Sequence, residues 1–397
     1  MPLWKRNLFV CWFGMFVTGI GMSQIAPVLP LYIKHLGVQN QDAIAELSGI
    51  AFGVTYIVSA IFSPIWGRAA DRFGRKPMLL RASLGMAIVI GCMGFAPNVY
   101  VFIALRLLQG TITGYSTACT TLIATQTDQE HAGYALGTLS TANVAGSLLG
   151  PMIGGFISEN LGMQNVFFLT GGLLFVAFLT TALFVKESFT REDRKTAGFK
   201  ELWGQLPQKG LTLTLFLTFF MMHVAMYTVE PIITVYIGHL SQAASHVALI
   251  SGLTFSASGL ANILAAPQLG ELSDRKGAHL VILFALIAAG LLFIPQAFVR
   301  SPWQLMALRF LLGLTLAGLA PSVNILVKKI TPAALTGRVF GFSMAAGYLG
   351  VFAGSVLGGQ VAAAFGIRAV FFVTSALLLA NAVWVYMKVY RKLAITH

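Results

Sequence analysis

The chain has 397 residues, of which 57% are hydrophobic and only 10% charged, with a mean hydropathy of +0.79; a soluble globular chain carries about 25% charged residues. This excludes an ordinary water-soluble domain and identifies an integral membrane protein. The net charge of +13 raises nucleic acid as a partner, but the cations sit between apolar stretches in the manner of the positive-inside rule, which accounts for them without one.

Twelve apolar stretches of 18 to 28 residues recur along the chain, each long enough for a hydrocarbon core that takes about 20 helical residues. The first, 8–33, follows Lys5 and Arg6 but is too long for the apolar region of a signal peptide and lacks a small-residue cleavage site, so it reads as a retained span. It carries the uncharged polar residue Gln24. The second, 46–66, leads into GRAADRFGRK at 67–76, a connection with four cations, an aspartate and two glycines. A link this short must turn at the membrane surface, where glycine takes positive φ and permits close helix approach. Asp71 is placed to pair with a neighbouring arginine or to cap a helix, each worth about 0.3 to 1 kcal/mol when exposed.

The third and fourth spans are 78–95 and 99–120, and the fourth carries Arg106 in LRLLQG. The fifth, 133–157, carries Asn143 and GSLLGPMIGG at 146–155. Gly146, Gly150 and Gly154 recur every four residues on one face, where small residues permit close packing; Gly155 follows, and Pro151 can bend the helix. The sixth span is 165–185. The segment KESFTREDRKTAGFKELWGQLPQK at 186–209 is the most polar of the chain and reads as a cytoplasmic linker between bundles at 1–185 and 210–397.

The seventh span, 211–237, holds MYTVEPIITVYI. Of the thirteen acidic residues, Glu230 is the one expected within the hydrocarbon, where a centred charge costs about 2.5 to 3.5 kcal/mol on insertion scales and marks a functional candidate. Low dielectric and a nearby arginine act on such a carboxyl in opposite senses, so the site can be tuned for proton exchange. Proton coupling and contact with a cationic substrate are both open to it, as are a structural ion pair and a carboxylate wetted near the outer surface. Met222, His223, Met226 and Tyr227 lie near Glu230, and flexible Met with aromatics suits either core packing or promiscuous apolar binding; His223 can titrate near neutrality or serve only as a hydrogen-bonding partner. The eighth span, 246–268, contains Asn262 and runs into GELSDRKG at 270–277, with Asp274 and Arg275. The ninth to twelfth are 279–298, 302–326 with Arg309 and Asn324, 338–362 with GVFAGSVLGG, and 368–388. Gln24, Asn143, Asn262 and Asn324 either line a cavity or join helices. Cys11, Cys92 and Cys119, an odd set without metal-ligand spacing, read as small packing residues.

The halves repeat. A shift of 203 pairs Gly67 with Gly270, Asp71-Arg72 with Asp274-Arg275, Arg106 with Arg309 and Gly110 with Gly313; a shift of 204 pairs Tyr32 with Tyr236 and Val166-Phe167-Phe168 with Val370-Phe371-Phe372. Six crossings separate equivalent positions, so the repeats are parallel, as in secondary transporters with a midplane site between rocking halves. Placing both termini in the cytoplasm leaves only Lys34, Arg300 and Arg368 outside, which the positive-inside rule favours.

GRAADRFGRK between the second and third spans, RxxxG at Arg106 and GxxxGPxxGG in the fifth resemble the major facilitator superfamily, over essentially the whole chain. The remaining resemblance, in WKRNLFVCWFGMFVTG, SPIWGRAADRFGRKPMLLRA, TLIATQ, ALGTLSTANVAGSLLGPMIGGF and SPWQLMALRFLLG, is to its proton-coupled drug antiporters, bacterial multidrug exporters. It implies an all-α fold of twelve spans in two bundles and export of amphiphilic, often cationic, drugs in exchange for protons. It also implies a cytoplasmic gate at Gly67, Asp71, Arg72, Arg75 and Lys76, echoed at Asp274 and Arg275, and proton coupling involving Arg106. The fifth-span motif is the one found in antiporters; its counterpart at 350–359 has Ser355 where the proline would be. No GxxxxGK[ST] sequence is present, so gradient coupling rather than ATP is the expected energy source. No cofactor, metal or catalytic constellation is expected, and the chain is expected to be a monomer in the cytoplasmic membrane. The rival readings are an exporter of a narrow substrate, a sugar or lipid-like amphiphile, and a non-transporting membrane sensor.

Overall fold

A computed structural model describes residues 2–187, 189, 209–240, 246–332 and 335–390, apart from the side chains of 129, 274 and 336–338. Every regular element among these is helical, as lipid requires of a chain that must satisfy its backbone internally without a closed barrel. The first half comprises α1 (Leu3–Ser23), α2 (Ile25–His35), α3 (Gln41–Phe73), α4 (Arg75–Met93), α5 (Val99–Ile112), α6 (Tyr115–Gln126), α7 (Gln129–Asn160) and α8 (Met163–Phe184). The second comprises α9 (Lys209–Val229), a 3-10 turn (Glu230–Ile232), α10 (Ile233–Leu240), α11 (Val247–Lys276), α12 (Ala278–Gln296), α13 (Pro302–Leu316), α14 (Leu319–Ile330), α15 (Thr336–Phe365) and α16 (Ile367–Val385).

Several predicted spans are broken helices. The first is α1 and α2, bent by 47° at Gln24, just before Pro27 and Pro30, whose rings remove backbone donors. The fourth is α5 and α6, interrupted at Thr113 and Gly114, where Gly114 has φ +122°. Among the described residues nine helices, and the bent first pair as a tenth, are long and apolar enough to cross a membrane. The other two predicted spans fall below that measure, one through the break at Gly114 and the other, α7, through its many Gly, Ser and Thr residues.

The connection predicted at 67–76 differs in form. Residues 67–73 continue α3, and the reversal is made at Gly74, with φ +92°; in the repeat, α11 continues to Lys276 and Gly277 turns with φ +99°. Alanine and alternating charges at 68–72 favour helix, so the sharp turn needs one positive-φ glycine.

Close contacts divide the chain into two compact units, Met1–Gln39 with Val54–Asp193 and Ala244–Ser256, and Asn40–Gly53 with Arg194–Ala243 and Ala257–His397. Each unit has its own version of the same packing. In the first, Gly146, Gly150 and Gly154 of α7 receive the backbone of α1 so closely that a Cβ would fall 2.5 Å from the Phe16 carbonyl oxygen, 2.9 Å from that of Ile20 and 2.7 Å from Gln24 Cβ. In the second, Gly350, Gly354 and Gly358 of α15 meet Phe220, Val224 and Thr228 of α9.

The hydrogen bonds repeat too. Tyr32 Oη donates to the Met93 carbonyl at 2.6 Å, and Tyr236 Oη to that of Gln296 at 3.0 Å. Gln24 bonds Thr170, and their counterparts Thr228 and Thr374 bond each other. Asn98 and Ser301 cap α5 and α13 from equivalent positions. Phe9, Leu183 and Phe284 are among many large apolar side chains left on the surface, as a lipid-facing exterior demands.

Candidate functional site

Glu230 stands where the seventh span breaks. Pro231 has no N–H to give the preceding turn, α9 ends at Val229, and Glu230 opens the 3-10 turn before α10 resumes. The carboxyl is partly buried. The charge acting on it is that of Arg309, and Glu230 is in turn the charge acting on Arg309. Arg309 projects from α13, is buried, and lies over the Phe293 ring at 5.6 Å; its Nε and Nη2 have no hydrogen-bond partner. No direct salt bridge closes this pair among the described residues, which leaves the carboxyl with lone pairs for a proton or a cationic group.

Arg106, the repeat of Arg309, is 1% exposed in the first unit. It donates from Nη1 to Gln109 Oε1 at 2.7 Å, its carbonyl accepts from Thr55 Oγ1 at 2.9 Å, and Gln109 Nε2 points to Met22 Sδ at 3.5 Å. Gln109 stands in LRLLQG with no role evident from the sequence. Its signal was an amide three residues after an intramembrane arginine, on the same helix face.

Along α9 the rings of Phe219, His223 and Tyr227 follow one another, with centroids 4.4 and 6.0 Å apart, and Phe52 lies 5.9 Å from Tyr227. His223 Nδ1 lies 2.8 Å from the Phe219 carbonyl oxygen, so this ring has a local backbone partner. Met222 is buried, whereas Met226 is partly exposed. Gln24 is buried and joined to Thr170; Asn143 and Asn262 are exposed, and Asn324 is half-buried. The polar residues expected in a cavity thus fall into different environments, with Gln24 holding helices together.

At the 67–76 segment, Arg75 Nη2 meets Asp71 Oδ1 at 3.2 Å across the Gly74 reversal. The cap of α4 comes from elsewhere: Glu187 accepts from the backbone N–H of Arg75 at 2.8 and 2.9 Å and of Lys76 at 2.7 Å. Lys76 Nζ reaches the Ala182 carbonyl at 3.0 Å, and Arg75 lies over the Phe189 ring. Arg72 lies over Phe73. Glu187 was hidden in the polar linker because a cap supplied 112 residues away has no local spacing. Gly67 has no atom within 4 Å of a would-be Cβ. In the second copy Arg275 pairs with Glu271 at 2.5 Å; the Asp274 side chain lies outside the described residues, as do 188 and 190–208 of the linker.

Pro151 and Gly155 of α7 meet α11 within the first unit: a Cβ on Gly252 would strike the Pro151 carbonyl, and one on Gly155 that of Ala248. Ser256 Oγ donates to the Leu148 carbonyl at 2.6 Å, and Glu159 pairs with His246 and accepts from Leu249 N at 3.3 Å. The GxxxGPxxGG helix therefore has two packed faces. Among the described residues no group of three His, Cys, Asp or Glu side chains is placed to hold a metal.

The Major Facilitator Superfamily profile matches residues 11–251 and 215–394. The chain is 42% identical over 390 residues to the "Multidrug resistance protein MdtG" of Salmonella arizonae, covering 98% of this chain and 96% of that one, and to that of Salmonella typhimurium to the same extent. Its fold is similar to a bacterial homologue of the human lysosomal transporter Spinster (TM-score 0.79, 14% identity, 98% and 97% covered) and to the human organic anion transporter MFSD10 (TM-score 0.72, 20% identity, 97% and 100% covered). With the same packing repeated in both units and a family match that runs almost end to end, this multi-pass membrane protein belongs to the major facilitator superfamily.

Proposed function

We propose that this protein is a secondary active transporter that exports amphiphilic, often cationic, drugs in exchange for protons by alternating access, with Glu230 as the exchanging carboxyl. The observation that carries this reading is the acid at the break of the seventh span, set against Arg309 without a direct salt bridge. A group that must bind either a proton or a cation needs a charged neighbour that tunes it and no bond that locks it. The Salmonella relatives named for multidrug resistance supply the substrate class.

The remaining assignments belong to the same reading. Both termini lie in the cytoplasm, supported by the Lys and Arg asymmetry, and 1–185 and 210–397 are the two bundles. The 67–76 segment acts as the cytoplasmic latch, with Asp71, Arg72, Arg75 and Lys76 as its charged members and Arg275 and Asp274 as their echo. Gly146, Gly150, Pro151, Gly154 and Gly155 form the sliding surface of the fifth span, and Arg106 supports coupling in the first half. Met222, His223, Met226 and Tyr227, with Asn324, contribute to the drug site, and the protein works as a monomer.

The test uses purified protein in DNA-loaded liposomes with an imposed pH gradient, following ethidium fluorescence for wild type and Glu230→Gln. Gradient-driven dye movement that is lost in the variant, with dye binding retained, is the expected result. Absence of gradient-driven movement in wild type overturns the drug-proton exchange, and an unaffected variant removes the proton from Glu230.

A further inference from the structure

The fourth and tenth spans are counterparts in the repeat, and each has a glycine between its two helices, Gly114 and Gly318 at the shift of 204. The backbone takes different courses there. Between α5 and α6, Thr113 is extended at ψ 169° and Gly114 has φ +122°. Between α13 and α14, Ala317 (φ −56°, ψ −34°) and Gly318 (φ −86°, ψ −11°) stay in the right-handed helical region. Glycine permits the break but does not decide it, since both spans have one.

The neighbours differ. An interrupted helix leaves the carbonyls of its last turn without N–H partners, and in the first unit two side chains supply them. Trp66 Nε1 of α3 donates to the Thr111 carbonyl at 2.6 Å, and Arg81 Nη2 of α4 donates to the Thr113 carbonyl at 3.0 Å. The Arg81 guanidinium lies 3.5 Å from the centre of the Trp66 ring, a cation-π contact that braces the two donors against each other. Its Nε and Nη1 are buried with no hydrogen-bond partner, so the charge is held by the indole face and by the carbonyl end of α5, where the helix dipole favours a cation. At the shift of 203 the second half has Leu269 and Phe284 in place of Trp66 and Arg81. Neither carries a donor; Phe284 is 65% exposed, and Leu269 packs against Gly318, 2.8 Å from where a Cβ there would fall. The span that breaks is the one whose carbonyls are met by side chains.

We propose that Arg81, braced by Trp66, is a positioning residue for transport that holds the fourth span broken at Thr113 and so fixes how α5 presents Arg106. Arg106 and Gln109 stand two turns and one turn before Thr113, at about 3.6 residues per turn. The same stretch is tied to α3, where Thr55 Oγ1 donates to the Arg106 carbonyl at 2.9 Å and Ser59 Oγ lies 3.0 Å from Thr113 Oγ1. Thr55, Ser59 and Trp66 recur at i, i+4 and i+11 on one face of α3, so the break and the arginine belong to one hydrogen-bonded seam. The link to transport rests on the reading of Arg106 given above; the hold on the break does not.

The test has two readouts on the full chain in liposomes, one of which needs no transport. Electron-electron resonance distances between spin labels at Tyr100 and Thr125, exposed positions on α5 and α6, report the geometry of the break once the exposed Cys92 is replaced by serine. Arg81→Met is expected to move most of the population to a new distance, as is Trp66→Leu with Arg81→Phe, which installs the residues of the second half. Trp66→Phe, which keeps a ring and removes the N–H, should move part of it, and Arg81→Lys should keep the wild-type distance. Gradient-driven ethidium exchange per dye-binding site should fall about tenfold or more in Arg81→Met, the scale of one hydrogen bond to a charged group, with ethidium affinity retained and most of the rate restored by Arg81→Lys. Wild-type distances in both Arg81→Met and Trp66→Phe overturn the proposal, as does equal loss in Arg81→Met and Arg81→Lys, which marks packing alone. A new distance with an unchanged exchange rate overturns the positioning role. Absence of gradient-driven movement in wild type overturns the transport reading and with it the role in transport, while the distances still decide whether Arg81 holds the break.

Discussion

Glu230 and Arg309 are held in each other's field within the second unit, the acid on the 3-10 turn that interrupts the seventh span and the cation on α13. A cationic drug prefers the ionised carboxylate, so protonation and drug binding compete there, and linkage requires that each weaken the other by one common factor. Ethidium affinity should therefore rise with pH in wild type, by a factor in the range of about 5 to 150 for a typical coupling, and be flat in Glu230→Gln. Equilibrium binding by fluorescence anisotropy across pH checks this; a pH-dependent variant places the coupling elsewhere.

Removing only Arg309 leaves a partly buried acid without the charge set against it, and leaving such a group uncompensated costs about 1 to 3 kcal/mol. Arg309→Ala should lower thermal stability strongly at a pH where Glu230 is ionised. The double variant Glu230→Gln with Arg309→Ala should lose less than the sum of the single changes, because its carboxyl no longer needs compensation. Thermal unfolding in detergent measures the cycle, and strict additivity would show that the two residues are energetically independent.

The glycine faces give opposite expectations at two positions. Gly358 has the Thr228 carbonyl directly against it, whereas Gly67 has open space. Gly358→Val should cost about 1 to 3 kcal/mol by overpacking, and Gly67→Ala should change stability by no more than about 0.5 kcal/mol. Unfolding midpoints decide; equal losses would show that the α9–α15 contact yields easily.

Glu187 caps α4 through three short backbone contacts, and losing such a cap costs about 0.5 to 2 kcal/mol. Glu187→Ala should therefore reduce stability by that amount. Asp71→Asn, whose exposed partner contact is worth only about 0.2 to 1 kcal/mol, should leave the unfolding midpoint nearly unchanged while shifting the distance distribution between spin labels on the two bundles. If Asp71→Asn moves neither, the latch role is withdrawn.

Much of the architecture was legible because its cause is periodic. Apolar length marked the spans, glycine at every fourth residue marked the packed faces of α7 and α15, and the register of 203 and 204 residues marked the repeat, although that the reversals fall on Gly74 and Gly277 emerged only from the fold. An acid inside an apolar run made Glu230 visible at once, since desolvation allows few such residues.

What the one-dimensional pattern did not contain was partnership. Arg309 was evident only as the repeat of Arg106; that its charge falls on Glu230, 79 residues earlier, follows from where the fold sets α13. Likewise Glu187 read as one more charge in a polar linker until folding set it on the first N–H groups of α4. Residue type and spacing determined where helices form and which face each buries, because those depend on neighbours in the chain. Which charge meets which carboxyl, and which acid caps which helix, was decided by tertiary structure, because Coulomb and hydrogen-bond energies depend on separation in space.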